Sequence, residues 1–219
     1  MQSTSSNTSQ NLPRVEGTEP LFPDWELTPT SNAQWVANYI TNTCTTTKFA
    51  ISVCKDIAWF KEYIPFKSVV KAKNAAKLFT VLGVGTVELP VQRGPNSHGI
   101  LRLKDVLHIP TGYCNLVSVP FPTEDGSMSD LSPDTDRQNK GFLTVVGTAN
   151  QTLAILDRDR SPDIIKLSDP PIGPVVGPQV IGPHGSYDFD ITWLLPERHR
   201  FELYRATLVG QQQQQQASA

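Results

Sequence analysis

The 219-residue chain lacks the features that define several large classes of protein. Its only cysteines are Cys44, Cys54 and Cys114, with no CxxC pair, so neither a disulfide framework nor a zinc site is indicated. No apolar run approaches the roughly 18 residues that a membrane-spanning helix needs. The N-terminus also lacks the charged and apolar regions of a secretory signal. We therefore expect reduced thiols in a cytoplasmic or nuclear protein that is not secreted and has no membrane partner.

An excess of charge is missing too, since 19 Lys and Arg stand against 21 Asp and Glu, a net charge of −2. Nucleic-acid-binding domains are usually basic, so this balance argues against a nucleic-acid partner. Hydrophobic residues make up only 38% of the chain, whereas it contains 18 Pro and 14 Gly. This composition favours a modest β core with many turns and with disordered termini.

The chain divides by composition into two tails and one domain. Residues 1–30 are rich in Ser, Thr, Asn and Pro and predict a disordered tail, while residues 209–219 form a second tail that contains a run of glutamines. Between them we expect one domain, residues 31–208. It includes a polar loop at residues 122–140 and an extended Pro/Gly segment at residues 169–186, where proline cannot donate to a sheet.

Short alternating apolar runs predict that this domain is mainly β. Residues 100–109 alternate apolar and polar side chains almost perfectly, as a half-buried strand does. Residues 141–147 and 152–157 predict a hairpin, and residues 48–53 fit either a strand or the start of a helix. Further strands are expected at residues 33–39, 68–72, 79–91, 116–119, 164–167 and 187–195. So many short strands indicate a small closed or partly closed barrel.

Two segments predict short helices. Ile57, Phe60 and Ile64 recur at helical spacing, with Asp56 placed to cap the helix and Pro65 to end it. Residues 196–204 begin with a proline, which suits the first turn of a helix. The aromatic residues around this second segment are expected to pack in the core.

Three blocks of the chain carry a family resemblance. Residues 83–87 read GVGTV, residues 103–110 read LKDVLHIP and residues 115–119 read NLVSV. In this order and spacing they resemble the Pol polyprotein of copia-type retrotransposons, whose blocks are G-x-G-T-V, L-K-D-V-L-Y-V-P and N-L-L-S-V. The resemblance implies a β-barrel of the retroviral aspartic protease type. The residues that carry it, for which structural roles are expected, are Trp35, Gly83, Gly85, Thr86, Leu103, Lys104, Asp105, Val106, Leu107, Pro110, Asn115, Leu116 and Ser118.

The family's catalytic motif, W-x-x-D-S-G, is degenerate here. Trp35 matches it, but Asn38, Tyr39 and Ile40 stand where the resemblance places Asp-Ser-Gly, and no D-S-G or D-T-G occurs elsewhere. An aspartic protease needs two carboxylates that share a proton. General acid–base groups contribute about 10²–10⁴-fold in rate, which an amide forfeits. We therefore predict that the chain has no catalytic residue, is not an enzyme and needs no cofactor.

Other polar clusters have ordinary interpretations. Asp188 and Asp190 share a strand face but lack further ligands at a suitable spacing, so no metal is expected. His108 stands at the aromatic position of the second block, which predicts a packing role. Gly83 and Gly85 predict a kink or bulge rather than a phosphate loop, because a third glycine and a following helix are missing.

The resemblance leaves several functions open. The preferred one is a non-catalytic remnant or domesticated derivative of the Pol barrel that binds a protein partner, by pairing strands or by forming a homodimer. The alternatives are an active retroviral-like aspartic endopeptidase with a displaced acid, and a structural module of a transposon particle. None of these implies a small-molecule ligand.

Overall fold

The computed structural model describes ten stretches of the chain, residues 35–39, 51–72, 78–94, 96–112, 114–123, 128–132, 140–146, 151–157, 163–168 and 191–217. Within them the strands are β1 (Trp35–Tyr39), β2 (Val53–Cys54), β3 (Phe60–Ala72), β4 (Leu78–Gly94), β5 (Ser97–His108), β6 (Asn115–Val119), β7 (Met128–Ser132), β8 (Lys140–Val146), β9 (Thr152–Asp157), β10 (Ile164–Ile165) and β11 (Ile191–Trp193). Helix α1 (Leu195–Ala217) follows. The predicted tail at residues 1–30 and the Pro/Gly segment at residues 169–186 lie outside the described residues.

All eleven strands belong to one sheet, in the order β11-β3-β4-β5-β2-β6-β1-β10-β9-β8-β7. The pairs β1–β6 and β2–β5 are parallel, and the other neighbours are antiparallel. The chain after β10 returns to β4, where Val91 and Leu167 form an isolated bridge. The Gln92 amide donates to the Lys166 carbonyl at 3.0 Å in the same region. The sheet therefore curls on itself, and the prediction of a mainly β, partly closed barrel is confirmed.

The core consists of two clusters on opposite faces of the curled sheet. Successive residues of a strand point to opposite faces, so Trp35 and Ala37 enter one cluster while Val36 between them enters the other. Every residue of β6, the parallel neighbour of β1, is buried. This central pair is covered on both sides, as parallel strands usually are.

The predicted helix at residues 56–64 is wrong. Asp56 does cap a helical turn, since its Oδ1 accepts from the Ala58 amide at 2.8 Å, but the turn is a single 3-10 turn at Ile57–Trp59. Strand β3 begins at Phe60 and continues through Pro65. Proline is tolerated there because β3 has no strand beside it on its outer edge except at its end, where β11 pairs with residues 70–72.

Two further predictions need correction. The helix expected at residues 196–204 begins at Leu195 but continues to Ala217, so the glutamine run belongs to a helix of 23 residues and the tail is not disordered over residues 209–217. The loop expected at residues 122–140 contains strand β7, which pairs with β8. By contrast, the hairpin of β8 and β9 and the long strands β4 and β5 are confirmed.

Candidate functional site

The position where the family resemblance places the catalytic aspartate lies in strand β1. Trp35 to Tyr39 pair with Asn115 to Val119 of β6 in one parallel register without interruption. Asn38 is thus the partner of Ser118, and Tyr39 is the partner of Val119. The backbone is a regular strand at these two positions, while Ile40 lies outside the described residues.

Trp35 is completely buried at the start of the same strand. Its ring packs edge-on against Trp59, with centroids 5.7 Å apart and an interplanar angle of 88°. This is the preferred arrangement of two aromatic quadrupoles. The side chain of Trp35 therefore belongs to the core.

The glycines of the first block accommodate neighbouring atoms of β3. A Cβ atom on Gly83 would overlap the Tyr63 ring, and one on Gly85 would overlap the carbonyl oxygen of Glu62. Thr86 follows Gly85 in β4, and its hydroxyl donates to the Glu62 carboxylate at 2.9 Å. The block is therefore a close-packed strand crossing, which agrees with the predicted bulge and not with a phosphate loop.

The second block contains the bulge itself. Gly85 pairs with Val106 and Val87 pairs with Leu103, so one residue of β4 faces two of β5, Lys104 and Asp105. Asp105 has φ 54°, in the left-handed region that Asp tolerates better than most residues. Because of the extra residue, Leu103 and Val106 both enter the same core cluster although they are three positions apart.

His108, within the second block, is the last residue of strand β5 and is packed among aromatic rings. Its Nδ1 lies 2.9 Å from the Tyr63 hydroxyl, and its ring contacts those of Phe60 and Tyr63 at centroid distances of 5.7 and 5.6 Å. Burial lowers the pKa of His108 more than a hydrogen bond to the Lys55 backbone and the charge of Asp56 raise it. Burial likewise raises the pKa of Tyr63.

The third block ties β6 to the chain around β2. The Asn115 side-chain oxygen accepts from the Lys55 amide at 2.9 Å. The Ser118 amide donates to the Ser52 hydroxyl at 3.3 Å, and the Ser118 hydroxyl donates to the Ile51 carbonyl. Leu116 of the third block is buried. In the second block, Leu107 is buried in the core, and Pro110 lies in the turn after β5.

Charged side chains near the blocks form an exposed, mixed network. Arg102 lies 3.5 Å from Glu62 and 3.8 Å from Glu88, and Lys61 lies 3.9 Å from Glu88. Such exposed pairs contribute only about 0–1 kcal/mol each to stability. Within the described stretches, no group of three His, Cys, Asp or Glu residues could hold a metal ion. Asp188 and Asp190 fall outside those stretches.

The cysteines offer no nucleophile. Cys54 and Cys114 are free and buried, and burial strongly raises the pKa of both thiols. A thiol must ionise to react, so both are inert where they lie. Cys44 lies outside the described residues.

Helix α1 is attached to the barrel by its first half, where aromatic residues pack as the sequence predicts. Phe201 is 1% exposed and packs against Phe66 and Trp193, with ring centroids 5.2 and 5.6 Å away. Glu197 accepts from the Ser68 hydroxyl at 2.7 Å, and the hydrogen bonds from Arg200 and Ser68 lower its pKa. Farther along, Arg205 donates to Asp105 of the bulge at 2.9 Å.

These features define a partly closed β-barrel whose three sequence blocks have structural roles and in which Asn38 lies in a regular strand. Residues 31–127 match the family model of the Pol polyprotein beta-barrel domain. This segment, which spans β1 to β6, is thus a retrotransposon Pol polyprotein β-barrel domain, and the expectation of a Pol polyprotein barrel is confirmed. No curated protein and no solved structure matches the chain. No helix in the described stretches is long and apolar enough to span a bilayer.

Proposed function

We propose that the chain is a non-catalytic derivative of a retrotransposon Pol barrel of the protease type and that it works as a protein-interaction module. One observation supports this above all. Asn38 stands at the position where the family resemblance implies the catalytic aspartate, inside a strand that continues in register through Tyr39. A carboxamide cannot exchange a proton with water as the acid pair of an aspartic protease must.

The acidic residues near the motif blocks favour the same proposal. A shared proton requires two carboxylates in contact that resist ionising together. Glu62 and Glu88 instead lie on either side of Arg102, at 3.5 and 3.8 Å from its guanidinium. They are also exposed by 65% and 33%, and solvent removes the low-dielectric surroundings that a displaced acid pair would need.

The binding half of the proposal is supported by exposed apolar side chains. Leu195 is 63% exposed and Leu203 is 59% exposed. Leu194, Tyr204 and Val209 are exposed as well, so the segment 194–209 holds five of the nine large hydrophobic residues exposed within the described stretches. Contiguous exposed apolar surface typically marks a site of protein association. We also propose an intracellular location, which the buried, free Cys54 and Cys114 support.

A cleavage assay tests the catalytic half. The full chain is incubated with a peptide library at acid and neutral pH, with and without pepstatin, alongside the variant Asn38→Asp. Neither protein should cleave, because a carboxylate at residue 38 still lacks the small Ser-Gly pair that lets its backbone pass close to a partner strand. Pepstatin-sensitive cleavage by the wild-type chain would contradict the proposal and favour the endopeptidase alternative.

A further inference from the structure

We propose that the outer face of helix α1 is a self-association surface that binds the same face of a second copy of this chain. This inference rests on the proposed function as an interaction module and names its surface and its partner. The outer face is defined by Leu203, Ala206, Val209 and Gly210, with Gln213 continuing it.

The geometry of α1 places these residues together. A helix of 23 residues is about 34 Å long, and each residue turns it by 100°. On that basis Leu203, Ala206, Val209 and Gly210 fall within an arc of about 120°, turned away from the buried Phe201. Leu203 is 59% and Val209 48% exposed. The barrel therefore covers one side of α1 and leaves an apolar row on the other.

The second half of α1 has little support from the barrel. Arg205 makes a described contact with the bulge residue Asp105, and every residue from Ala206 to Gln216 is exposed or half-exposed. An isolated helix of this length is marginal in water, and Thr207, Val209 and Gly210 are weak helix formers. Packing against another helix supplies the stabilisation that the barrel does not provide there.

The chemistry of this half matches a copy of itself. Residues 206–217 contain no ionisable side chain, so two copies approach without charge repulsion. The amide of Gln213, which continues the outer face, both donates and accepts hydrogen bonds, so it is complementary to the same residue of a second copy. At the rim, the charge of Glu202 is matched by Arg205 at 2.6 Å. A strongly charged partner would find no counterpart on this surface.

Gly210 supplies an independent observation. Among the described residues, a Cβ atom there would meet nothing within 4 Å, so no described contact requires a glycine. Glycine nevertheless costs a helix about 1 kcal/mol relative to alanine. Its lack of a side chain allows a second backbone to approach closely. This explains why a helix that is otherwise weak carries glycine in the middle of its apolar row.

The test is sedimentation equilibrium of the full chain from about 1 to 200 µM, comparing wild type with Gly210→Glu. We expect a reversible dimer in the wild type and at least tenfold weaker association in G210E, because the variant places a charge on the outer face. Glutamate forms helices better than glycine, so G210E should not unfold α1. Gln211→Glu is the matched control: it adds the same charge one residue later, on a different side, and should change the dissociation constant by less than twofold.

The outcomes separate this inference from the proposed function. A wild-type chain that stays monomeric at 200 µM, or a G210E variant that associates as the wild type does, contradicts the role of α1 and leaves the non-catalytic barrel untouched. Pepstatin-sensitive cleavage contradicts the proposed function whatever the oligomeric state. A second variant, Leu203→Gln with Val209→Gln, should also weaken the dimer at least tenfold, with an unchanged near-UV circular dichroism spectrum.

Discussion

The long strands β4 and β5 and the helix α1 use their apolar residues in opposite ways. Along β4, Val81, Val87 and Leu89 are completely buried. A Cβ atom at Gly83 or Gly85 would overlap neighbouring atoms of β3, so only glycine fits at these two positions. Along α1, Phe201 is the only buried residue among those whose side chains are described, while Leu195, Leu203 and Val209 face solvent. The match to the Pol barrel family covers residues 31–127, which include β4 and β5 and end before α1. Packing within this chain therefore explains the residues of β4 and β5. It does not explain why α1 exposes apolar residues to solvent.

The largest contrast is expected between Trp35 and Leu203. Removing the fully buried Trp35 ring, as in Trp35→Ala, should lower the free energy of unfolding by about 3–5 kcal/mol, because the lost ring leaves a cavity beside Trp59. Leu203→Ala should change it by no more than about 0.5 kcal/mol in the dilute monomer. Urea unfolding followed by far-UV circular dichroism measures both. A loss below 1 kcal/mol for W35A would mean that β1 is not part of the core.

The same substitution at two glycines should have opposite signs. Gly85→Ala forces a Cβ atom against the Glu62 carbonyl and should destabilise the barrel by about 2–3 kcal/mol. Gly210→Ala meets open space and should stabilise α1 by about 0.5–1 kcal/mol in the dilute monomer. Thermal unfolding followed by circular dichroism reports both effects. Equal signs at the two sites would remove the contrast between strands and helix.

The difference between the two regions also explains which features the sequence predicts. Trp35, β4, β5 and β6 could be predicted because alternation and turn residues agree with the burial that the barrel imposes. The three blocks could be recognised for the same reason: Asp105 and Gly85 satisfy a bulge and a close approach that few other residues allow. Local pattern and tertiary packing favour the same structure at these positions.

The missed features are those where tertiary contacts override the local pattern. Phe60 and Ile64 have helical spacing, yet pairing with Val87 and Val84 of β4 holds them in a strand. Strand β7 lies in a polar, Ser-rich segment and exists through its pairing with β8. The length of α1 was missed because glutamines give no apolar period, and nothing in one sequence shows where such a helix ends.

An intermediate effect is expected at His108, where burial gives the barrel a dependence on pH. Its pKa is lowered from the usual 6.5, so above pH 6.5 the imidazole is neutral in both folded and unfolded chains. As the pH falls below 6.5 the unfolded chain takes up the proton first, and stability decreases until the pH reaches the folded pKa. The stability advantage of wild type over His108→Gln should therefore shrink between pH 8 and pH 5.

The control for this experiment lies on the same strand. His98 is exposed on β5, so His98→Gln removes a histidine that the barrel does not bury. Urea unfolding at half-unit pH intervals compares both variants with the wild type. A constant difference for H108Q would mean that folding does not lower the pKa of His108.

The smallest effect is expected at Arg205–Asp105, the ion pair that joins the two regions. The side chains are 40% and 51% exposed, so a double-mutant cycle of Arg205→Gln and Asp105→Asn should give a coupling of about 0.2–1 kcal/mol at low salt. Asparagine tolerates the left-handed backbone of residue 105, so D105N tests the charge without straining the bulge. The coupling should fall towards zero in 1 M salt, where charges are screened within about 3 Å. A coupling that persists in 1 M salt would mean that the Arg205–Asp105 contact is shielded from solvent, and α1 around Arg205 would then belong to the packed barrel and not to a separate region.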